Sequence, residues 1–110
     1  MTRSALDTSR VRGDAGADRA ASKAERTQPG WIDRAAEAVR GFASEQGPLS
    51  FTIEEAREGF QAPEGVDLRA WGNVTRRAIR LGYIEPTGDY APAASSNNSP
   101  KRLYRRGYAA

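Results

Sequence analysis

Apolar side chains recur at helical spacing in three places along the chain. In the first, Trp31, Ala35, Ala38, Val39 and Phe42 line one side while Asp33, Arg34, Glu37 and Arg40 take the other, which predicts a helix over 29–46. Pro29 suits a first helical turn, and Gly47 followed by Pro48 ends the run. The second is the set Ile53, Ala56 and Phe60, at i, i+3 and i+7, which predicts a helix over 53–60. Thr52 and Glu55 stand ahead of it as a capping box, each side chain able to satisfy the backbone N–H of the other. The third and most regular pattern is DLRAWGNVTRRAIRLG, 67–82. Leu68, Trp71, Val74, Thr75, Ala78, Ile79 and Leu81 gather on one arc, and Arg69, Asn73, Arg76, Arg77 and Arg80 on the other. Asp67 is the expected N-cap and Gly82 the expected left-handed C′ residue.

Between these helices the pattern shortens. Leu49-Ser50-Phe51 alternates and predicts a small strand, and 61–66, with Pro63 and Gly65, predicts a loop. Tyr83 and Ile84 open a strand that Pro86 stops or confines to a sheet edge. From Thr87 to Pro100 the chain is Gly, Ala, Pro, Ser and Asn, an expected mobile loop. Lys101 to Arg106 then returns as a second strand, with Leu103 on one face and Arg102, Tyr104 and Arg106 on the other. Residues 1–28 hold only Leu6 and Val11 as sizeable apolar groups. A flexible tail is therefore expected there, with transient helix around 17–25. The resulting fold class is α+β: a tail over 1–28, then one folded unit over 29–110 with three helices and a two- to three-stranded hairpin.

Charge sharpens this picture. Residues 1–28, 29–66 and 67–110 carry net charges of +2, −4 and +5, within a chain of net charge +3. From Leu68 to Leu81 no carboxylate offers the i, i+4 partner that offsets a basic face on an exposed helix. Uncompensated guanidinium groups repel one another, and a polyanion relieves the repulsion. Arginine also matches phosphate and the guanine edge, and asparagine matches adenine. The reading that follows is a recognition helix, 68–81, lying in the major groove of double-stranded DNA. Its contacts would come from Arg69, Asn73, Arg76, Arg77 and Arg80, with Lys101, Arg102, Arg105 and Arg106 of the hairpin on the backbone or minor groove. The bland alternatives are a solvated helix face and an edge strand guarded by charge.

Composition narrows the chemistry. The chain has no cysteine and no histidine, which removes disulfides, thiolate ligands, the usual zinc sites and the usual general base. No metal, cofactor or catalytic residue is expected, and the protein is read as non-enzymatic. Glu85 and Asp89 are the one acidic pair near the basic surface that a metal-dependent nuclease could use. No apolar run reaches membrane length, so no membrane partner is expected and the cytoplasm is the expected compartment. No heptad or spare apolar helix marks a dimer interface, leaving monomer and homodimer both open.

The order of elements, with Ala70-Trp71-Gly72, Arg80-Leu81-Gly82-Tyr83-Ile84, Gly88-Asp89-Tyr90 and the Ser-Asn-Pro-rich segment from Ser95 to Pro100, resembles winged helix-turn-helix domains. More narrowly, it resembles those of small proteins encoded in phages and prophages. The resemblance covers about 60 residues, from Ser50 to Tyr108. It implies a recognition helix over 68–81, a wing over 83–108, and DNA binding in bacterial transcription control, replication, excision or host takeover. Such proteins often carry a histidine in the second half of the wing, and this chain has none. Winged-helix folds also hold other proteins. The competing expectation is therefore an interaction module or inhibitor that binds an acidic partner-protein surface.

Overall fold

The computed structural model describes the backbone of residues 5–91 and 100–110, with side chains from Gly16 onward within the first helix. The elements run α1 (Ala5–Thr27), α2 (Trp31–Gln46), α3 (Ile53–Ala56), α4 (Ala70–Arg80), β1 (Ile84–Ala91) and β2 (Lys101–Arg106). This is a small α+β fold with four helices and an antiparallel two-stranded sheet.

The extra helix corrects the expected flexible tail. Ala17, Ala20, Ala21 and Ala24 recur at i, i+3, i+4 and i+7 and are all buried, so a stripe of methyl groups packs where large side chains were sought. Small residues let α1 approach closely, and its main partner is α4. A Cβ added to Gly72 would lie 3.0 Å from the Ala17 Cβ. At its other end α1 is tied to α2. The Glu25 carboxylate accepts hydrogen bonds from the backbone N–H of Gly30 at 2.9 Å and Ile32 at 3.0 Å. It thereby caps α2 across the left-handed turn at Gly30, where φ is 81°.

Those two N–H donors hold the Glu25 carboxyl below its ordinary value of 4.5, since they favour the charged form. A carboxyl depressed on folding stabilises the protein above its unfolded pKa, and that stability drains away as pH falls through the folded value. Urea midpoints should therefore hold steady above about pH 5.5 and fall below the ordinary carboxylate range. Glu25→Gln should lose about 1 kcal/mol near neutrality and show a shallower acid decline. An unchanged acid decline in that variant would assign the pH dependence to other carboxylates.

Trp31 on α2 and Trp71 on α4 meet edge-on with centroids 5.4 Å apart, and Phe60 lies 6.3 Å from each. The Trp31 indole N–H donates to the Gln61 carbonyl at 3.1 Å, so the buried ring leaves no orphan donor. Phe42 and Phe51 form a second edge-on pair at 5.2 Å. The capping box at Thr52 and Glu55 is present, both of its backbone bonds measuring 3.2 Å. The helix behind it is shorter than the expected 53–60. Glu58 N–H bonds back to Glu55 at i−3, and Gly59 follows, so the chain tightens into a turn that swings Phe60 onto the tryptophans.

Asp67 caps as expected in kind, its carboxylate accepting from Arg69 N–H at 2.8 Å, but the first turn has i→i+3 bonds and α4 itself begins at Ala70. At the other end Tyr83 N–H reaches Ala78 O at 2.9 Å and Gly82 N–H reaches Ile79 O at 3.0 Å, with Gly82 left-handed at φ 79°. This is the Schellman arrangement. The C-terminal turn then closes on the same place, since Ala109 N–H donates to Gly82 O at 2.8 Å. A Cβ at Gly107 would come within 2.2 Å of that oxygen, so the closure needs glycine at 107 as well.

Two faces differ from expectation. Along α4 the buried residues are Ala70, Trp71, Val74 and Ala78, while Leu68 is 58% exposed, Ile79 37% and Leu81 40%. The helix is rotated because α1 packs on it where Ala17 meets Gly72, while α2 packs on it through Trp31 against Trp71. In β2 the inward residue is Tyr104, 7% exposed, with Leu103 only half-buried. The cause is Phe51, whose backbone exchanges two hydrogen bonds of 2.8 Å with Tyr104 and so brings that face of β2 to the core. β1 pairs with β2 from Ile84↔Arg106 to Ala91↔Lys101, with an irregularity between Pro86 and Tyr90. Pro86 lies within β1, which pairs with β2 alone and so has the edge position a proline needs. The expected loop begins later than Thr87, and its segment 92–99 lies outside the described residues.

Candidate nucleic-acid interface

The exposed arc of α4 forms the floor of an open groove, with a cavity volume of about 490 Å³. Its walls are α3, β2 and the Ala17 region of α1. Four arginines line it: Arg57 just past α3, Arg69 just before α4, Arg76 on α4, and Arg102 on β2. Glu54 is the single carboxylate among the lining residues. The lining also includes Leu68, Thr75 and Ile79, together with the buried Trp71 and Tyr104. It combines cationic groups with methyl-bearing side chains.

The nine residues expected to touch DNA are therefore not equivalent. Arg69, Arg76 and Arg102 come together in the groove. Asn73 sits where α1 crosses, its Nδ2 donating to Asp18 Oδ1 at 2.8 Å, and the same oxygen lies 2.6 Å from Arg76 Nη2. Arg77 points the other way, toward α2, with Nη2 2.7 Å from Asp33 Oδ1 and a buried Nε that finds no hydrogen-bond acceptor. It braces the α2–α4 packing and does not line the groove. Arg80 is exposed beyond the groove. On the hairpin, Lys101 Nζ lies 3.8 Å from Glu54, and Arg105 Nε is bonded to Glu85 across the strand pair. Arg106 is exposed at the strand end.

The absence of carboxylates within α4 thus did not mean the absence of carboxylates around it. Asp18 and Asp33 arrive from helices distant in sequence and take part of the expected positive field. Both pairs are substantially exposed, Arg76 by 40% and Asp18 by 62% of the side chain, Arg77 by 38% and Asp33 by 66%. Such pairs contribute roughly 0–1 kcal/mol, little enough for an incoming phosphate to compete.

Arg57 and Thr75 were missed in the sequence. Arg57 follows Glu54 and Glu55, whose charge makes this stretch read as acidic. The signal available is its position: it directly follows the helix that the capping box starts, just where the shortened α3 turns away. Thr75 falls on the apolar arc by spacing, and in the structure it is half-buried. Its hydroxyl donates to Trp71 O at 2.8 Å and so is already engaged within the helix.

Among the described residues no three acidic side chains gather as a metal site. Among the same residues no helix is long and apolar enough to cross a membrane. No protein-family model matches the chain, and neither the curated proteins nor the solved structures contain a match to it.

Proposed function

We propose that this chain is a non-enzymatic DNA-binding protein of the winged helix-turn-helix type, with the α4 groove laid against the duplex. The observation that carries the proposal is the convergence of Arg57, Arg69, Arg76 and Arg102, from three parts of the chain, on one open groove with Glu54 as the one acidic lining residue and Asp18 paired to Arg76. Phosphates on the two sides of a DNA groove are separated by the groove's width, so cations on several elements match them better than one helix face does. The order from α2 onward supports the winged reading: helix, a bridging Phe51, two helices, then a hairpin whose second strand pairs with Phe51.

In this reading the arginines hold the backbone while Thr75 and Ile79 present methyl groups to the base edges, a chemistry that favours the thymine methyl. A phage-type regulatory, replication or recombination accessory role is part of the proposal and rests on the motif resemblance.

Binding of the full chain to a random duplex of about 25 base pairs, titrated with salt, tests the reading. Four phosphate contacts predict that log K falls with log salt at a slope of about −3 to −4. Selected sequences should be T-containing, and exchange of their thymines for uracil should weaken binding. No binding to random or selected duplexes at about 50 mM salt would remove the proposal.

One observation favours a second reading. Leu68 and Ile79 are exposed in the groove lining together with the arginines, a pattern suited to an acidic amphipathic segment of a partner protein. In that case Leu68→Ser should abolish partner binding and leave DNA binding intact.

A further inference from the structure

The crossing of α1 over α4 puts three contacts on the polar arc of α4. Asp18 Oδ1 takes two donors at once, Asn73 Nδ2 at 2.8 Å and Arg76 Nη2 at 2.6 Å. Ala17 presses against Gly72, and the Arg69 side chain runs along Gly16, where an added Cβ would be 3.3 Å from Nη1. An amide and a guanidinium converging on one anionic oxygen is also how a nucleic-acid phosphate oxygen is held. We propose that Asn73 and Arg76 form a phosphate-oxygen site that Asp18 fills in cis, so that α1 competes with the DNA backbone for this face of α4. The inference rests on the DNA-binding reading and states how that surface is regulated.

Steric fit makes the competition exclusive. A major groove about 12 Å wide admits one helix of about 10–12 Å diameter, not two side by side. With α1 docked, a duplex can reach the groove arc of Thr75 and Ile79. Contact with Asn73 and full use of Arg76 require the α1 segment around Asp18 to move off.

The way α1 is attached permits such a movement. Its C-terminal half is anchored: Ala20 and Ala24 belong to the main core, Glu25 caps α2, and Lys23 Nζ reaches the Gly65 carbonyl at 3.1 Å. Among the described side chains, the crossing at 16–18 offers Gly16, the Ala17 methyl and a carboxylate whose side chain is 62% exposed. Gly16 also sits within the helix, where glycine is a weak helix former and a natural point of bending.

Two full-length variants test this against a random duplex of about 25 base pairs at about 0.1 M salt, with wild type as reference. Asp18→Ala removes the competing carboxylate, and its duplex affinity should rise about two- to fivefold, the scale of an exposed ion pair. The double variant Ala17→Cys, Gly72→Cys introduces the only cysteines in the chain. The ideal Cβ separation of 3.0 Å lies close to the 3.5–4.5 Å of a disulfide, so a small outward shift of α1 allows the bond. Oxidised, it should bind about threefold or more weakly than its own reduced form, and reductant should restore the affinity. Both results are required. If wild type binds DNA but either variant fails to show its change, the competition is overturned and the DNA reading stands. If wild type and the reduced variant bind no duplex, the DNA reading falls and takes this inference with it.

Discussion

Trp71→Ala should destabilise the protein by about 3–5 kcal/mol, the largest effect expected of any core truncation here. The ring is 2% exposed, meets Trp31 at 5.4 Å and Phe60 at 6.3 Å, and lies under the groove between α1 and α2. Its removal leaves a cavity that is hard to fill, because the described buried residues of α1 are alanines and Trp31 is fixed by its bond to Gln61. A domain of this size has roughly 5–15 kcal/mol in total, so the loss is a large fraction of it. Urea denaturation followed by circular dichroism should show a much lower midpoint with a similar slope. Trp71→Phe, which keeps an aromatic ring in place, should recover more than half of the loss. A change below about 1 kcal/mol for Trp71→Ala would mean that α4 is held mainly by its other contacts.

The same residue shows what was legible in the sequence. Trp71, Val74 and Ala78 announce a buried helix face by spacing alone, and all three are buried. The C-terminal end of α4 was readable too, because Gly82 serves a geometry few other residues reach, whereas the start moved from Leu68 to Ala70 behind a turn that Asp67 opens. Local rules worked where the cause is local, and the Thr52–Glu55 capping box is another instance. What escaped was decided by partners far along the chain. The stripe Ala17, Ala20, Ala21, Ala24 has helical period, but low hydropathy and two glycines hid it, since its burial depends on α4 accepting a close approach at Gly72. Once α1 is present, the rotation of α4, the exposure of Leu68 and Ile79, and the engagement of Asn73 and Arg76 all follow. For the same reason the site was legible only as an inventory of cations. Which arginines share a surface depends on Asp18, Asp33 and Glu85, none of them within four residues of the arginine it meets.

That sorting of the arginines leads to the largest effect expected on binding. The double substitution Arg57→Ala, Arg102→Ala should weaken duplex binding about 100-fold near 0.1 M salt, at roughly 1.4 kcal/mol for each charge-assisted phosphate contact. The salt slope should fall in magnitude by about 1.8, because each lost phosphate contact releases about 0.9 fewer counterions. Random and selected duplexes should lose affinity alike, since in the proposed reading both residues hold phosphates and read no base edge. Arg105→Ala is the informative control. It removes the same charge from the same hairpin, but Arg105 lies outside the groove lining, so binding should change by less than about twofold. An equal loss from Arg105→Ala and from Arg57→Ala, Arg102→Ala would mean that net charge alone drives association, with no oriented groove. A loss confined to Arg105→Ala would move the interface to the hairpin around Arg105 and Glu85, and α4 would then be a structural helix.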